Sequence, residues 1–155
     1  RKIFNIPNAN IKNSMKKMRL KGRLEEIKVG KLKNLIGKNR LIIDGGHNIN
    51  SAISISKWVK QQNEKVHLIC GMMSDKSHKE FVNQFENSVS SITLVDIPNQ
   101  ESSISKEEFK KKLGKENIHT AGSIEESLLI NNKDENCIFL CAGSLYLAGE
   151  ILNLN

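Results

Sequence analysis

Residues 41–48, Leu-Ile-Ile-Asp-Gly-Gly-His-Asn, join an apolar strand to residue types that can bind a ligand. Asp44 supplies a carboxylate and His47 an imidazole, and the two glycines between them let the backbone turn sharply and approach a ligand closely. Asn48 can cap a helix over 51–62. In open α/β sheets, ligands bind at the carboxyl ends of the strands. The segment therefore predicts a polar ligand site at a strand end.

The rest of the chain alternates apolar runs with amphipathic stretches. Strands are predicted at 24–29, 40–44, 66–71, 91–95, 118–121 and 137–142, and helices at 9–19, 49–62, 75–88, 104–113, 123–131 and 143–153. This alternation predicts an α/β, Rossmann-like fold with a mainly parallel six-stranded sheet and helices on both faces. Asp75, Ser105 and Ser123 are predicted N-caps. Glu108 and Glu126 follow the two serines by three residues, as capping-box partners do.

Length and composition favour one domain with a substantial core, since 155 residues carry 38% hydrophobic residues. No apolar run approaches the roughly 18 to 20 residues that span a bilayer, and the N-terminus has no apolar signal-peptide core. We therefore expect a cytoplasmic protein with no membrane partner. Cys70, Cys137 and Cys141 lie in apolar, strand-like segments, and no His stands at metal-ligand spacing from them. This predicts buried reduced thiols and no metal site.

The formal net charge of +7 is concentrated at the N-terminus. Residues 1–28 hold nine Lys or Arg against Glu25 and Glu26, which already gives 9 − 2 = +7. Such asymmetry can mark a surface for a polyanion. A base-stacking platform needs aromatic side chains, however, and the chain has one Trp and one Tyr. A solvated basic helix at 9–19 is the favoured interpretation, and no nucleic-acid partner is expected.

Four motifs stand at predicted strand ends and together carry a family resemblance. They are Gly-Arg-Leu-Glu at 22–25, Asp-Gly-Gly-His-Asn at 44–48, Gly-Met-Met-Ser-Asp-Lys at 71–76 and Gly-Ser-Leu-Tyr-Leu-Ala-Gly-Glu at 143–150. In this order they resemble the C-terminal domain of folylpolyglutamate synthase/dihydrofolate synthase, a branch of the Mur ligase superfamily. The resemblance covers about residues 9–153.

The resemblance implies an ATP-dependent ligase. In that family a folate or dihydropteroate carboxylate is phosphorylated to an acyl phosphate, and the amine of L-glutamate then forms the amide. The N-terminal ATPase domain holds the phosphate-binding loop and the Mg2+ ligands, but no Gly-x-x-x-x-Gly-Lys-Ser/Thr occurs here. We therefore expect a fragment that is monomeric and inactive alone, in which 1–21 are the tail of the N-terminal domain with a basic linker helix and 22–155 are the C-terminal domain.

Five residues match the family's ligand contacts. The resemblance assigns Arg23 to the nucleotide phosphates, Asp44 and Asn48 to the nucleotide, His47 to both nucleotide and glutamate, and Ser144 to the glutamate pocket. A guanidinium suits the charge of phosphoryl transfer, and a helix N-terminus favours an anion near Ser144. The resemblance assigns no catalytic residue. The alternatives are an exposed Arg23, a turn-forming Asp44, and simple N-capping by Asn48 and Ser144.

Some positions depart from the family pattern, and other functions stay open. Ser77 replaces the second acid of the family's Asp-Lys-Asp, Ile49 replaces a proline, and Gly46 replaces an alanine.

One alternative function is a Rossmann-like nucleotide or nucleic-acid binding module that uses the basic N-terminal helix, although no Gly-x-Gly-x-x-Gly follows a strand. Another alternative is a ligase that acts on a cell-wall precursor, but the Gly-Ser-Leu-Tyr motif argues against it. His67, His78 and His119 are predicted to be structural or exposed.

Overall fold

The computed structural model describes residues 21–155, which form one six-stranded sheet in the order β1-β2-β6-β3-β4-β5. The strands are β1 Glu25–Ile27, β2 Arg40–Asp44, β3 Val66–Cys70, β4 Ser91–Leu94, β5 His119–Thr120 and β6 Ile138–Ala142. The helices are α1 Lys31–Leu35, α2 Ile49–Val59, α3 His78–Asn83, α4 Lys106–Leu113, α5 Ile124–Ile130 and α6 Leu145–Leu154. All neighbouring strands are parallel except β1, which is antiparallel to β2. The predicted mainly parallel sheet is confirmed; the predicted basic helix at 9–19 lies outside the described residues.

The sheet separates two hydrophobic cores because alternate residues of a strand face opposite sides. On β2, Ile42 packs into one core with Phe81 and Phe109, whereas its neighbours Leu41 and Ile43 pack into the other. All residues of the central strands β3 and β6 are buried, as expected where helices cover both faces of a parallel sheet. The predicted cover on both faces is therefore confirmed.

The five-residue helix α1 was not predicted from the sequence. Leu32, Leu35 and Ile36 have helical spacing, but this apolar pattern covers little more than one turn, which is too short to distinguish a helix from a loop. Its start is held from the far end of the chain, since Asn155 Oδ1 accepts hydrogen bonds from the amides of Leu32 (3.1 Å) and Lys33 (3.3 Å). This helix thus depends on a tertiary contact that local sequence does not reveal.

The predicted helix caps are correct in part. Asn48 caps α2 and forms a capping box with Ser51, and the hydroxyls of Ser105 and Ser123 accept from the amides three residues on. The capping boxes expected at the two serines are wrong. The carboxylate of Glu126 accepts from Gly122 N at 2.5 Å, one residue before the cap.

Asp75 is not a helix cap. Its carboxylate accepts a hydrogen bond from Lys76 Nζ at 2.6 Å, while the N-cap of α3 is Ser77 and the helix begins at His78. The prediction of a helix from residue 75 is therefore wrong. The reason is that the Asp75 side chain pairs with the lysine beside it instead of turning back to a helix amide.

The three cysteines are buried free thiols, as predicted. Burial raises the pKa of Cys141 to about 12, so this thiol stays protonated and unreactive at neutral pH. His67 and His78 are buried and His119 is exposed, in agreement with the sequence. Among residues 21–155, the longest helices are too short or too polar to cross a lipid bilayer.

Two adjacent leucines of α5 test the placement of the core. Leu128 is fully buried whereas Leu129 is 50% exposed. We expect Leu128→Ala to lower the free energy of unfolding by about 2 to 5 kcal/mol, because it removes core contacts and leaves a cavity. Leu129→Ala should change it by no more than about 0.5 kcal/mol. Urea denaturation followed by circular dichroism measures both, and equal losses would contradict this packing.

Candidate functional site

The carboxylate of Asp44 joins two loops at the carboxyl end of β2. It is 5% exposed, and Oδ1 accepts from Gly46 N at 2.7 Å while Oδ2 accepts from Leu24 N at 2.9 Å. The guanidinium of Arg23 donates to Oδ1 from Nη1 at 3.3 Å. Asp44 therefore fixes both the glycine turn that follows it and the loop that carries Arg23.

The Gly-Arg-Leu-Glu motif is a turn that places Arg23 against β2. Glu25 Oε2 accepts from Gly22 N at 2.7 Å, and Leu24 takes a positive φ of 42°. Gly22 O in turn accepts from Gly45 N at 2.8 Å. The turn is thus closed by its own glutamate and bonded to the glycine loop after β2.

The other two motif loops meet the glycine loop through close backbone approaches. Gly143 N donates to Gly46 O at 3.0 Å. Gly143 has a φ of 114°, and a Cβ there would lie 2.7 Å from Gly71 O. A Cβ on Gly45 would lie 2.2 Å from Leu145 Cδ2. The four sequence motifs therefore come together at the carboxyl ends of the strands. Glycine is required at position 143, where a Cβ would overlap backbone, whereas at Gly45 a Cβ would overlap the side chain of Leu145.

His47 lies between this joined set of loops and helix α2. Its side chain is partly exposed, and Nδ1 lies 3.3 Å from Gly45 O. Among residues 21–155 the structure gives no hydrogen-bond partner to Nε2. Asn48 follows and is occupied as the N-cap of α2, with Oδ1 accepting from Ser51 N at 2.9 Å. The imidazole of His47 therefore has hydrogen-bonding capacity left for a ligand, and so has Asn48 Nδ2, since the cap uses Oδ1.

Ser144 is the N-cap of α6 and is 2% exposed. Its Oγ accepts from Tyr146 N at 3.1 Å. It follows Ala142, which is paired with Asp44 on one side and Cys70 on the other. The capping role predicted as an alternative is therefore confirmed, and the preceding residue, Gly143, donates its amide to Gly46 O in the loop that carries His47. The proton of the Ser144 hydroxyl is still available to donate.

His47 lines an open cavity of about 410 Å³. The cavity is lined by residues 47–50 and 75–77. Lys76 donates to Asp75 and lowers the pKa of that carboxyl, to which His47 adds a smaller effect from across the cavity. Asp75 and Lys76 were not among the predicted site residues. The Asp-Lys pair after β3 was visible in the sequence, but the parallel pairing of β3 with β6 is what brings it near His47.

Within residues 21–155, no group of three or more His, Cys, Asp or Glu side chains is arranged to hold a metal ion. The site instead combines a guanidinium, an imidazole, an ammonium and a helix N-terminus. This combination is suited to anionic ligands such as phosphates and carboxylates.

Comparison with known families identifies the domain. The sequence model of the family described as "Mur ligase, glutamate ligase domain" matches residues 22–145. The chain belongs to this Mur ligase family. The match contains three of the four motifs in full and the first three residues, 143–145, of the last one, and it confirms the predicted relationship to the Mur ligases. The comparison with curated proteins gives no match.

Solved structures share the fold of this Mur ligase domain. The bifunctional folylpolyglutamate synthase/dihydrofolate synthase of Yersinia pestis is 17% identical with a TM-score of 0.74, and covers 97% of this chain and 34% of that chain. The folylpolyglutamate synthase of Mycobacterium tuberculosis complexed with ADP and AMPPCP is 14% identical with a TM-score of 0.76, at 97% and 35% coverage. The E. coli FolC complex with DHPP and ADP is 18% identical with a TM-score of 0.71, at 97% and 35% coverage. The chain thus spans about a third of the length of these structures.

Replacement of Asp44 by Asn tests its role in joining the loops. The amide group would present N–H where Gly46 N or Leu24 N now donates, and it would lose the charge that holds Arg23. We expect Asp44→Asn to lower the free energy of unfolding by about 1.5 to 3 kcal/mol, as measured by urea denaturation at pH 7. The matched control is Asp75→Asn, whose exposed carboxylate pairs with the adjacent lysine and should not matter to stability. Equal midpoints for the two variants would refute this role.

Proposed function

We propose that this domain is the C-terminal part of an ATP-dependent ligase that adds L-glutamate to a folate or dihydropteroate. The observation that carries the proposal is that the four motif loops meet at the carboxyl ends of the strands, in a domain of the Mur ligase glutamate ligase family. The similar solved structures are folylpolyglutamate or dihydrofolate synthases, which supports this branch of the family.

The proposed nucleotide contacts are Arg23, Asp44, His47 and Asn48. The Arg23 side chain is 46% exposed, so the guanidinium can reach a phosphate while one nitrogen stays on Asp44. Asp44 has two backbone amides and Arg23 on its oxygens, so its main contribution is to orient that guanidinium and the Gly46 amide. A pre-oriented positive charge stabilises phosphoryl transfer without reorganising during the reaction.

The proposed glutamate contacts are His47 and Ser144. A carboxylate of glutamate can accept from the imidazole and from the Ser144 hydroxyl at the start of α6, where the helix dipole also favours an anion. Lys76 lies in the adjoining cavity and can donate to the other carboxylate while it stays paired with Asp75. These contacts would position the amine of glutamate against the acyl phosphate formed on the folate or dihydropteroate. The entropy lost in orienting the two reactants is then compensated on binding, before the chemical step.

ATP and Mg2+ are the proposed cofactors. One of the similar Yersinia pestis synthase structures is a complex with AMPPNP and Mn ion. The residues here fit the phosphates of a nucleotide, since Arg23 and the helix N-termini offer donors, but residues 21–155 offer no metal cluster. We therefore assign the Mg2+ ligands to an N-terminal ATPase domain, which is the proposed partner and closes the site. ATP bound there supplies the phosphoryl group.

Domain boundaries, oligomeric state and cellular location complete the proposal. Residues 1–21 are assigned to the end of the N-terminal domain and a linker, and residues 22–155 to the C-terminal domain. We propose a cytoplasmic monomer, in keeping with three unpaired buried cysteines. The alternative of a nucleic-acid module is not favoured by the family match, and its basic helix lies outside the described residues.

Glutamate incorporation tests the site in the enzyme joined to its N-terminal domain. The proposal requires that the upstream coding sequence encode a Gly-x-x-x-x-Gly-Lys-Ser/Thr loop, and that the 155-residue chain alone release no ADP from ATP. In the joined enzyme, His47→Ala should reduce ATP-dependent incorporation of radiolabelled glutamate about 100-fold, because charge stabilisation and positioning are lost. His119→Ala, at an exposed strand position, should keep full activity. Unchanged activity after His47→Ala would reject the site.

A comparison of two helix-capping serines distinguishes a role in glutamate binding from a role in helix capping. Ser144 and Ser123 each cap a helix through Oγ, but Ser123 lies beside β5, three strands away from β6. Loss of either cap should cost about 1 kcal/mol of stability. Only Ser144→Ala should also raise the KM for glutamate, by about tenfold for one lost hydrogen bond to a charged group. An equal KM in the two variants would show that Ser144 is a cap alone.

A further inference from the structure

The loop between β3 and α3, residues 71–77, carries Asp75 and Lys76 to the cavity at His47. The Lys76 side chain is 29% exposed, and its ammonium is the group proposed above to meet one carboxylate of glutamate. A lysine side chain is long and flexible, so the place of its charge depends on how firmly its backbone is held. The contacts that fix this loop therefore bear on how glutamate is bound.

The loop after β4 holds one side of this segment. Ser74 N and Ser74 Oγ both donate to Ser102 O at 2.9 Å. Met73 pairs with Ser103 in an antiparallel bridge. These contacts fix the start of the turn formed by residues 75–77.

His78, the first residue of α3, holds the other side. His78 Nε2 lies 3.0 Å from Met73 O, and Nε2 must carry the proton and donate it because a carbonyl oxygen only accepts. Lys76 N donates to the same oxygen at 3.3 Å, and His78 N donates to Lys76 O at 3.0 Å. Three hydrogen bonds thus close residues 73–78 around the backbone of Lys76.

The imidazole of His78 is itself held in place by the core. It is 6% exposed and meets the ring of Phe109 on α4 edge-on, with centroids 5.0 Å apart and an angle of 61° between the planes. Phe109 is fully buried. Burial lowers the pKa of His78, so the ring is neutral at pH 7 and keeps its one proton on Nε2, towards the carbonyl. The core thereby fixes the position of Met73 O through this ring.

We propose, on the basis of the proposed ligase function, that His78 is a positioning residue for glutamate. By donating to Met73 O it fixes the turn that presents Lys76, and it acts through that lysine without touching the substrate. The proposed nucleotide contacts lie on the loops before β1 and after β2, which are held by Asp44 and not by His78. Loss of the His78 donor should therefore affect glutamate and leave the nucleotide unaffected.

Steady-state kinetics of the enzyme joined to its N-terminal domain test this role. His78→Leu keeps an apolar side chain against Phe109 but removes the donor. It should raise the KM for glutamate about tenfold, the effect of losing one hydrogen bond to a charged group, with wild-type values of kcat and of the KM for ATP. His78→Gln can donate from nearly the same place as Nε2, so it should restore the wild-type KM for glutamate.

A double variant distinguishes the positioning of Lys76 from a general loss of packing. In a Lys76→Ala background, His78→Leu should cause no further rise in the KM for glutamate, since the group that it positions is already absent. The matched control is His67→Leu, which removes the hydrogen bonds of a buried imidazole near the amino end of β3 and should leave this KM unchanged.

Three results would overturn the role of His78 alone. They are a wild-type KM for glutamate in His78→Leu, a further rise in the double variant, and an equal rise in His67→Leu. A joined wild-type enzyme that incorporates no glutamate would instead overturn the proposed function, and the role of His78 with it.

Discussion

The buried carboxylate of Asp44 is the interaction on which the proposed ligase site depends. A carboxylate that is 5% exposed must satisfy its oxygens within the protein, and here it does so with two backbone amides and one guanidinium. Those donors come from the turn before β1 and the turn after β2, which are far apart in sequence. The cost of burying one charge thus fixes two loops at a single point. Arg23 is held there as a consequence.

Close backbone contact extends this arrangement to the other two motif loops. Gly45 lies so close to Leu145, and Gly143 so close to Gly71, that a side chain on either glycine would overlap its neighbour. The loops after β2, β3 and β6 can touch only because their strands are adjacent and parallel. Sheet order therefore decides which glycines meet. The loops that carry His47 and Ser144 are hydrogen-bonded to each other because of this order and not because of their separation in the chain.

Sequence reasoning succeeds here where the information is local and fails where it is tertiary. The central strands could be predicted because nearly all their residues are apolar, with His67 the one exception in β3 and β6. The cap Asn48 could be predicted because a capping residue precedes a helical pattern. Helix α1 could not, since Asn155 holds it from the other end of the chain. The position of Asp75 beside His47 likewise arises from strand pairing, whereas the local sequence at that residue predicts only a helix cap.

The contrast between two serines shows why side-chain partners decide chemistry more than position does. Ser144 and Ser91 each lie at the end of a strand and beside a cavity or loop with a histidine. The Oγ of Ser144 accepts from a backbone amide, so its lone pair is used to hold a helix and its proton is available to an anion. The Oγ of Ser91 accepts from Asn131 and lies 2.8 Å from a neutral imidazole nitrogen, so its proton is directed to a base. The first arrangement suits binding of a carboxylate, and the second holds β3, β4 and the turn before β6 together. The carboxyl and amino ends of the parallel strands thereby present different uses of a serine hydroxyl.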